Sequence, residues 1–129
     1  MPPSHAFRNL TVWKLSMDLV ESLYAHTKGF PSDERFGLTV QIRRAAVSIP
    51  SNIGEGARRK RPKVFRHHLE VALGSQAEVE VQLELAYRLR YLSQTDDNDL
   101  QGEVEEIGRM LNGLLASIRS DGRGELAPP

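Results

Sequence analysis

Six of the nine residues from position 58 to position 66 are basic, and this cluster is the strongest functional signal in the sequence. The six are Arg58, Arg59, Lys60, Arg61, Lys63 and Arg66. Guanidinium and ammonium groups gathered in this way can meet successive phosphates of a nucleic acid and release the counterions bound there. Arg43 and Arg44 join them if their helix turns both side chains outward. These eight residues are therefore a candidate interface for the backbone of RNA or DNA.

A second interpretation of the basic cluster stays open. Residues 1–68 carry 12 basic and 5 acidic residues, and residues 69–129 carry 5 and 12, so a formal net charge of zero hides a strongly polar chain. The zero net charge, and the lack of aromatic residues alternating with the basic ones, weaken the case for nucleic acid. The cluster could instead be a solvated turn, or a set of partners for the acidic C-terminal half across a subunit interface.

Pro50, Asn52, Glu55 and Gly56 form a second candidate group. A proline inside a helix removes one backbone hydrogen bond and crowds the carbonyl four residues earlier. The carboxamide of Asn52 or the carboxylate of Glu55 could then bond the freed groups, or point into a channel. Repair of the helix is the simpler role, because a kink needs local hydrogen bonds before it needs chemistry.

Potential metal ligands and catalytic groups do not form a recognisable set. His67, His68 and Glu70 reverse the order in which di-iron bundles space Glu and His, and the sequence has no second such motif. Without cysteine, disulfides, thiolate zinc sites and thiol nucleophiles are excluded. We therefore expect no metal, no cofactor and no enzymatic activity; an enzyme with a buried metal is the least favoured alternative.

Composition places the chain among globular proteins of one domain. It has 129 residues, of which 26% are charged and 40% hydrophobic, too apolar for a disordered chain and too polar for a membrane protein. No apolar run approaches the roughly 18 residues needed to cross a bilayer, and the N-terminus lacks the pattern of a secretory signal. We therefore expect a cytoplasmic protein with no membrane partner.

Apolar residues recur at spacings of three and four along most of the chain, which predicts helices and no strands. The first helix is expected over residues 12–28. The second runs from residue 32 to within a turn or two of Gly56, with a kink at Pro50. The third is expected over residues 62–92, with a proline at its first position, and the fourth over residues 97–120.

Short connections between four long helices make neighbouring helices antiparallel. The predicted fold is an all-α, antiparallel up-down-up-down four-helix bundle with a Pro-kinked second helix. Residues 1–10 form an N-terminal arm, residues 11–120 the bundle and residues 121–129 a flexible tail. The first and third helices carry two apolar faces each, which favours a homo-oligomer; a wide core-facing stripe with scattered exposed apolar residues is the alternative.

Three runs of residues resemble one bacterial family, and several positions after them match its second block. The runs are 30–38, 41–46 and 48–56, and the later matches are Arg59, Phe65, Leu69, Ala72, Gly74, Ser75, Glu78 and Leu83. The family is the bacterial four helix bundle protein family, encoded in intervening sequences of large-subunit ribosomal RNA genes and elsewhere. The resemblance covers residues 7–92. Gly54 stands where the family usually has Ala, and Arg61 where it has a small capping residue.

The resemblance implies a four-helix protomer assembled into a ring, commonly a pentamer with a central channel. The family is also similar to the accessory protein of diversity-generating retroelements, a basic pentamer that binds nucleic acid and reverse transcriptase. In a ring, symmetry repeats the basic cluster once per subunit, so a neutral protomer can present a positive rim. The sequence thus predicts a non-enzymatic homo-oligomeric scaffold, a pentamer, that binds RNA or DNA at the junction of its second and third helices. A protein-interaction module without a nucleic-acid role is the alternative.

Overall fold

Four α-helices form the fold, as the periodicity predicts. The computed structural model describes residues 6–126, with side chains as far as Ile118, and this part of the chain contains no β-strand. The helices are α1 (Thr11–Thr27), α2 (Leu38–Arg59), α3 (Pro62–Arg88) and α4 (Gln94–Leu126), with short 3₁₀ turns at Ala6–Asn9 and Ser32–Glu34. The outer ends of the predicted arm and tail, residues 1–5 and 127–129, lie outside the described residues.

The helices form a closed, antiparallel arrangement. Each helix packs against two others, and within residues 6–126 the backbones of the diagonal pairs, α1 with α3 and α2 with α4, do not come close to each other. Hydrogen bonds join Asn52 to His68 and Ser48 to Ser75, so α2 and α3 run in opposite directions. The hydrogen bonds that join Gln76 to Val104 and Gln101 to Glu80 show in the same way that α3 and α4 run in opposite directions. The predicted antiparallel packing of neighbouring helices is therefore present in the protomer.

The core consists of aliphatic side chains from all four helices, at the spacings of the predicted stripes. The largest of those that are fully buried are Leu19, Leu23, Ile42, Ile49, Ile53, Leu69, Val79, Leu83, Leu100, Val104, Ile107 and Leu111. Burying each such side chain contributes about 1.5–3 kcal/mol. Gln76 lies in this core as well, and its Nε2 donates to the carbonyl oxygen of Val104 at 3.0 Å, which satisfies the buried amide.

The second helix begins later than the sequence predicts. Ser32–Glu34 form a separate 3₁₀ turn, and α2 starts at Leu38, whose N–H donates to Glu34 Oε1 at 3.0 Å. The Tyr91 hydroxyl donates to the other carboxylate oxygen at 2.9 Å. These two hydrogen bonds, the one from Leu38 first, lower the pKa of Glu34. The helix therefore starts six residues after the predicted position, at a turn where the carboxylate of Glu34 accepts the Leu38 N–H and a distant tyrosine holds that carboxylate in place.

The boundary between α3 and α4 also differs from the prediction. α3 ends at Arg88 and not near Leu92, because the chain turns through a left-handed residue, Arg90, with φ of 67°. Leu92 lies in this connection and its side chain is buried in the core. An apolar residue at this position therefore continues the apolar pattern of α3 although the helix has ended. At the other end, α4 extends beyond the predicted end at residue 120, since glycines lower helix propensity without forbidding a helix.

Pro50 does not interrupt α2. The helix continues from Leu38 to Arg59 with Pro50 buried inside it, although the proline lacks the N–H that would bond the carbonyl of Ala46. The helix ends within one turn of Gly56, as predicted. The bend itself stays a prediction.

Gly56 sets the closest approach of α2 and α3. A Cβ at this position would lie 2.7 Å from His68 Cβ and 3.1 Å from a ring carbon of Phe65. The Cβ atom of His68 moves only with the backbone of α3, so the clash cannot be relieved by rotating a side chain. Only glycine allows the two helices this spacing.

We expect Gly56→Ala to destabilise the bundle by about 1–3 kcal/mol, because the added methyl group must push α3 away. Gly102→Ala is the matched control, since Gly102 lies inside α4 and no atom lies within 4 Å of the place where its Cβ would project. Alanine is favoured over glycine there by up to about 1 kcal/mol. Urea unfolding measures both free energies. Equal stabilities would show that the spacing of α2 and α3 does not depend on the missing side chain.

Candidate nucleic-acid interface

The predicted basic cluster lies on the tight turn between α2 and α3. Only Lys60 and Arg61 separate the two helices. Lys60 is left-handed, with φ of 58°, and Arg61 is extended before Pro62 begins α3. Because the turn is so short, the basic residues on both sides of it are held at one end of the bundle. We call the six residues Arg58, Arg59, Lys60, Arg61, Lys63 and Arg66 the basic hairpin.

Most cations of the basic hairpin form no ion pair with the side chains that the structure describes. Arg59 pairs with Glu55 at 3.2 Å, and both side chains are more than half exposed, so this pair contributes at most about 1 kcal/mol. The other five have no such partner within residues 6–118. Lys63 and Arg66 lie in the first turns of α3, where the helix dipole is already positive. The hairpin therefore carries positive charge that the fold does not neutralise.

Arg43 and Arg44 do not join the basic hairpin. Arg43 lies against α1, where its Nε donates to Thr27 Oγ1 at 2.8 Å and its guanidinium stacks 4.3 Å from the ring centre of Tyr24. Arg44 is exposed, but it lines a shallow cleft on another side of α2. Fifteen residues of helix, about 22 Å, separate Arg43 from Arg58. The structure therefore gives Arg43 a role in holding α1 against α2.

Asn52 joins α2 to α3 and does not bond the carbonyl freed by Pro50. Its Nδ2 donates to the carbonyl oxygen of Ser48 at 2.9 Å and to Ser48 Oγ at 3.1 Å, and its Oδ1 lies 2.9 Å from His68 Nδ1. Ser75 Oγ donates to Ser48 Oγ at 2.8 Å. Because the Ser48 carbonyl can only accept, the amide orientation is fixed, and His68 must carry its proton on Nδ1.

A groove between α1 and α2 opens beside the basic hairpin. It has a volume of about 780 Å³ and is lined by Phe7, Trp13, Met17, Val20, Val47, Pro50, Ser51, Gly54, Glu55, Arg58 and Arg59. The ring of Phe7 covers Gly54 so closely that a Cβ there would lie 3.3 Å from it. The sequence does not predict Phe7 and Trp13 as site residues, because they lie about 50 positions before Arg58 in the chain and line the same groove only through the packing of α1 on α2.

The candidate group around Pro50 is only partly adjacent to the basic hairpin. Of the group predicted around the proline, Pro50 and Glu55 line the groove, whereas Asn52 and Gly56 face α3. Glu55 is the one member that touches the basic hairpin, through Arg59. The carboxylate of Glu55 therefore offsets part of the positive charge at this end of the groove.

Acidic side chains lie on the opposite side of the bundle, between α1 and α4. Asp18, Asp99, Glu103 and Glu106 line a cleft of about 600 Å³ there. Burial raises the pKa of Glu103, and the charges of Asp18 and Asp99 raise it further, against a lowering by His26. Because α4 packs against α1 and α3 and its backbone does not come close to α2 within residues 6–126, this acidic cleft lies on a different side of the bundle from the basic hairpin.

The remaining candidate residues are the two neighbouring histidines near the start of α3. His67 and His68 have ring centres 5.5 Å apart, but among the residues that the structure describes no three His, Asp or Glu side chains are grouped to hold a metal ion. None of the helices within residues 6–126 has the length and apolar character required to cross a membrane.

Comparison with known proteins agrees with this architecture. Residues 8–113 match the model of a family described as 23S rRNA-intervening sequence protein. A solved structure from Bacteroides thetaiotaomicron, a protein of unknown function from the S23 ribosomal protein family, has a TM-score of 0.76 and 24% identity, covering 81% of this chain and 98% of that one. At this identity the likeness shows the fold alone. No curated protein matches the chain.

We expect Asn52→Ala to lower the free energy of unfolding by about 1–3 kcal/mol, because it leaves the Nδ1–H of His68 without its partner at the helix interface. Glu55→Ala, an exposed position on the same helix, is the control and should change stability by less than about 1 kcal/mol. Thermal unfolding followed by circular dichroism compares the two. If both variants unfold alike, the bridge between α2 and α3 does not stabilise the fold.

Proposed function

Because the chain belongs to the 23S rRNA-intervening sequence protein family, we propose that it is a self-associating, non-enzymatic scaffold that binds the backbone of RNA or DNA through the basic hairpin. The observation that carries this proposal is the set of five cations, Arg58, Lys60, Arg61, Lys63 and Arg66, that have no ionic partner among the described side chains. A turn of two residues holds them together. Uncompensated charge fixed in one place is what attraction of a polyanion requires.

The hairpin favours contact with phosphates over recognition of sequence. Its cations project from a turn and from two helix ends, a geometry that suits charge contacts with a phosphate backbone. Contacts of this kind position a nucleic acid without reading its bases. The affinity should therefore depend strongly on salt and weakly on sequence.

A strip on the outer face of α3 supports self-association. Its residues lie alternately four and three positions apart, the spacing of a coiled-coil seam, and all are exposed: His67, Val71, Gly74, Glu78, Val81 and Leu85. Val81 is 69% exposed and Leu85 45%, and no atom of the described part of the chain lies within 4 Å of the place where a Cβ of Gly74 would project. We call this strip the α3 seam, and it is suited to packing against another copy. The pentameric ring implied by the resemblance is part of this proposal.

The salt dependence of binding tests the role of the basic hairpin. Five phosphate contacts predict that the logarithm of the affinity for duplex DNA falls with the logarithm of salt concentration at a slope of about −4.5. Replacing Arg58, Arg61 and Lys63 with alanine should reduce the slope to about −2 and weaken binding. Replacing Lys28, Arg44 and Arg88, exposed cations outside the hairpin, removes the same charge and should leave the slope unchanged. Fluorescence anisotropy of a labelled duplex measures both, and equal slopes for the two triple variants would contradict the proposed interface.

The mass of the assembly tests the α3 seam. We expect the purified protein to have a multiple of the protomer mass of 14.5 kDa, and Val81→Lys with Leu85→Lys to reduce it to the single protomer, because two buried cations cannot be solvated in an apolar seam. Ala25→Lys with Asn112→Lys adds the same charge at exposed positions on α1 and α4 and should leave the assembly intact. Light scattering after size-exclusion chromatography gives the masses. A wild-type protein that elutes as one protomer would exclude the scaffold proposal.

A further inference from the structure

The groove between α1 and α2 places two aromatic rings beside cations of the basic hairpin. Phe7 and Trp13 lie edge to face, with ring centres 5.4 Å apart and planes at 72°, and both are half-buried. Arg58 and Arg59 line the same groove. The tertiary structure therefore combines aromatic and basic groups that are far apart in the sequence. This combination is typical of sites for unpaired nucleotides.

The shape and polarity of the groove suit a flat, mostly apolar group that is joined to an anion. Its volume of about 780 Å³ lies within the range of about 300–1,000 Å³ found for small-molecule sites. Met17, Val20 and Val47 give it apolar walls, and the arginines stand at one end. A nucleobase linked through its sugar to a phosphate has this distribution of apolar surface and charge.

We propose that this groove binds an unpaired nucleobase of RNA or DNA, which stacks on Trp13 while the neighbouring phosphate pairs with Arg58. This inference rests on the proposed function and specifies the part of the nucleic acid that is preferred. Charge complementarity selects the occupant, because an uncharged apolar segment would leave Arg58 without a partner. Arg59 is already paired with Glu55 at 3.2 Å, whereas Arg58 forms no ion pair with any side chain that the structure describes.

Bases within a duplex cannot enter the groove, since they are paired and stacked on their neighbours. Loops, bulges and single-stranded ends expose the faces of their bases. A nucleic acid that has both a duplex part and unpaired nucleotides can therefore use the two sites together. Its phosphates meet the basic hairpin, and an unpaired base enters the adjoining groove.

The fluorescence of Trp13, the single tryptophan of the chain, reports directly on the groove. We expect single-stranded oligothymidylate of about twelve nucleotides to quench this fluorescence when it binds. An abasic oligomer with the same number of phosphates should bind without quenching and at least about fivefold more weakly, because it cannot stack. The two oligomers should show similar salt dependence, since they present the same phosphates.

Trp13→Leu removes the ring and keeps an apolar side chain against the core. In anisotropy measurements with labelled oligomers, this variant should lose the preference for oligothymidylate over the abasic oligomer. Phe36→Leu is the matched control, because Phe36 is 83% exposed and lies outside the groove, and it should keep the preference. Circular dichroism of both variants confirms that the helices are retained.

The possible outcomes separate the two proposals. Equal binding of both oligomers by the unchanged protein, with the salt dependence of the basic hairpin intact, would overturn the groove site alone. Failure of both oligomers and of duplex to bind would overturn the groove site and the proposed function together. Fluorescence that changes with protein concentration and not with oligomer would show that a second copy of the chain occupies the groove, which also overturns the inference.

Discussion

The packing of Gly56 against His68 and Phe65 brings α2 and α3 close enough for two residues to join them. A wider spacing would require a longer connection, and a longer connection would let its cations spread apart. The same close contact allows Asn52 to reach His68 across the interface. The absence of a side chain at Gly56 therefore supports the core packing, the polar bridge and the close grouping of the cations. The density of positive charge at this end of the bundle follows from helix geometry as well as from composition.

Stability alone does not explain the charge on the basic hairpin. Cations at the C-terminal end of α2 gain about 0.3–1 kcal/mol each from the helix dipole, but those in the first turns of α3 lose a similar amount. Repulsion between neighbouring cations adds to this cost, although water and salt screen it because most of the side chains are exposed. Glu55 is the only acidic side chain that pairs with the hairpin among the described residues. Charge that the fold leaves uncompensated therefore supports the proposal of a polyanionic partner and not a role in stability.

Much of the fold could be predicted from the sequence, because the helical stripes are determined by local spacing. The core positions of α1 to α4 and the polar core residue Gln76 follow from this periodicity. The start of α2 could not be predicted, since the capping carboxylate of Glu34 depends on Tyr91, which approaches it only in the folded chain. The end of α3 could not be predicted for a related reason: Leu92 is buried although it lies in a turn, and burial alone does not distinguish a turn from a helix.

The candidate site also has one part that follows from local sequence and one part that depends on tertiary packing. The residues of the basic hairpin lie within nine consecutive positions, so the sequence alone identifies them as a cluster. The position of Arg43, in contrast, depends on Tyr24 and Thr27 in another helix. The aromatic rings of Phe7 and Trp13 line the same groove as Arg58 only because α1 packs on α2, so no spacing rule within one segment could have joined them.

The positions of the three surfaces explain how a weak site on one protomer could become a strong one in an assembly. The α3 seam starts at His67, one helical turn or about 6 Å from Lys63 in the basic hairpin. Copies that meet along α3 would therefore place their hairpins near one another, while the groove on the α1 side of each hairpin stays away from the seam. A nucleic acid held by one hairpin would meet the next at a high effective concentration, so its affinity would rise without any new type of contact. The acidic cleft lies between α1 and α4, the two helices that form neither the basic hairpin nor the α3 seam, so its carboxylates would not be brought together with the hairpins in such an assembly.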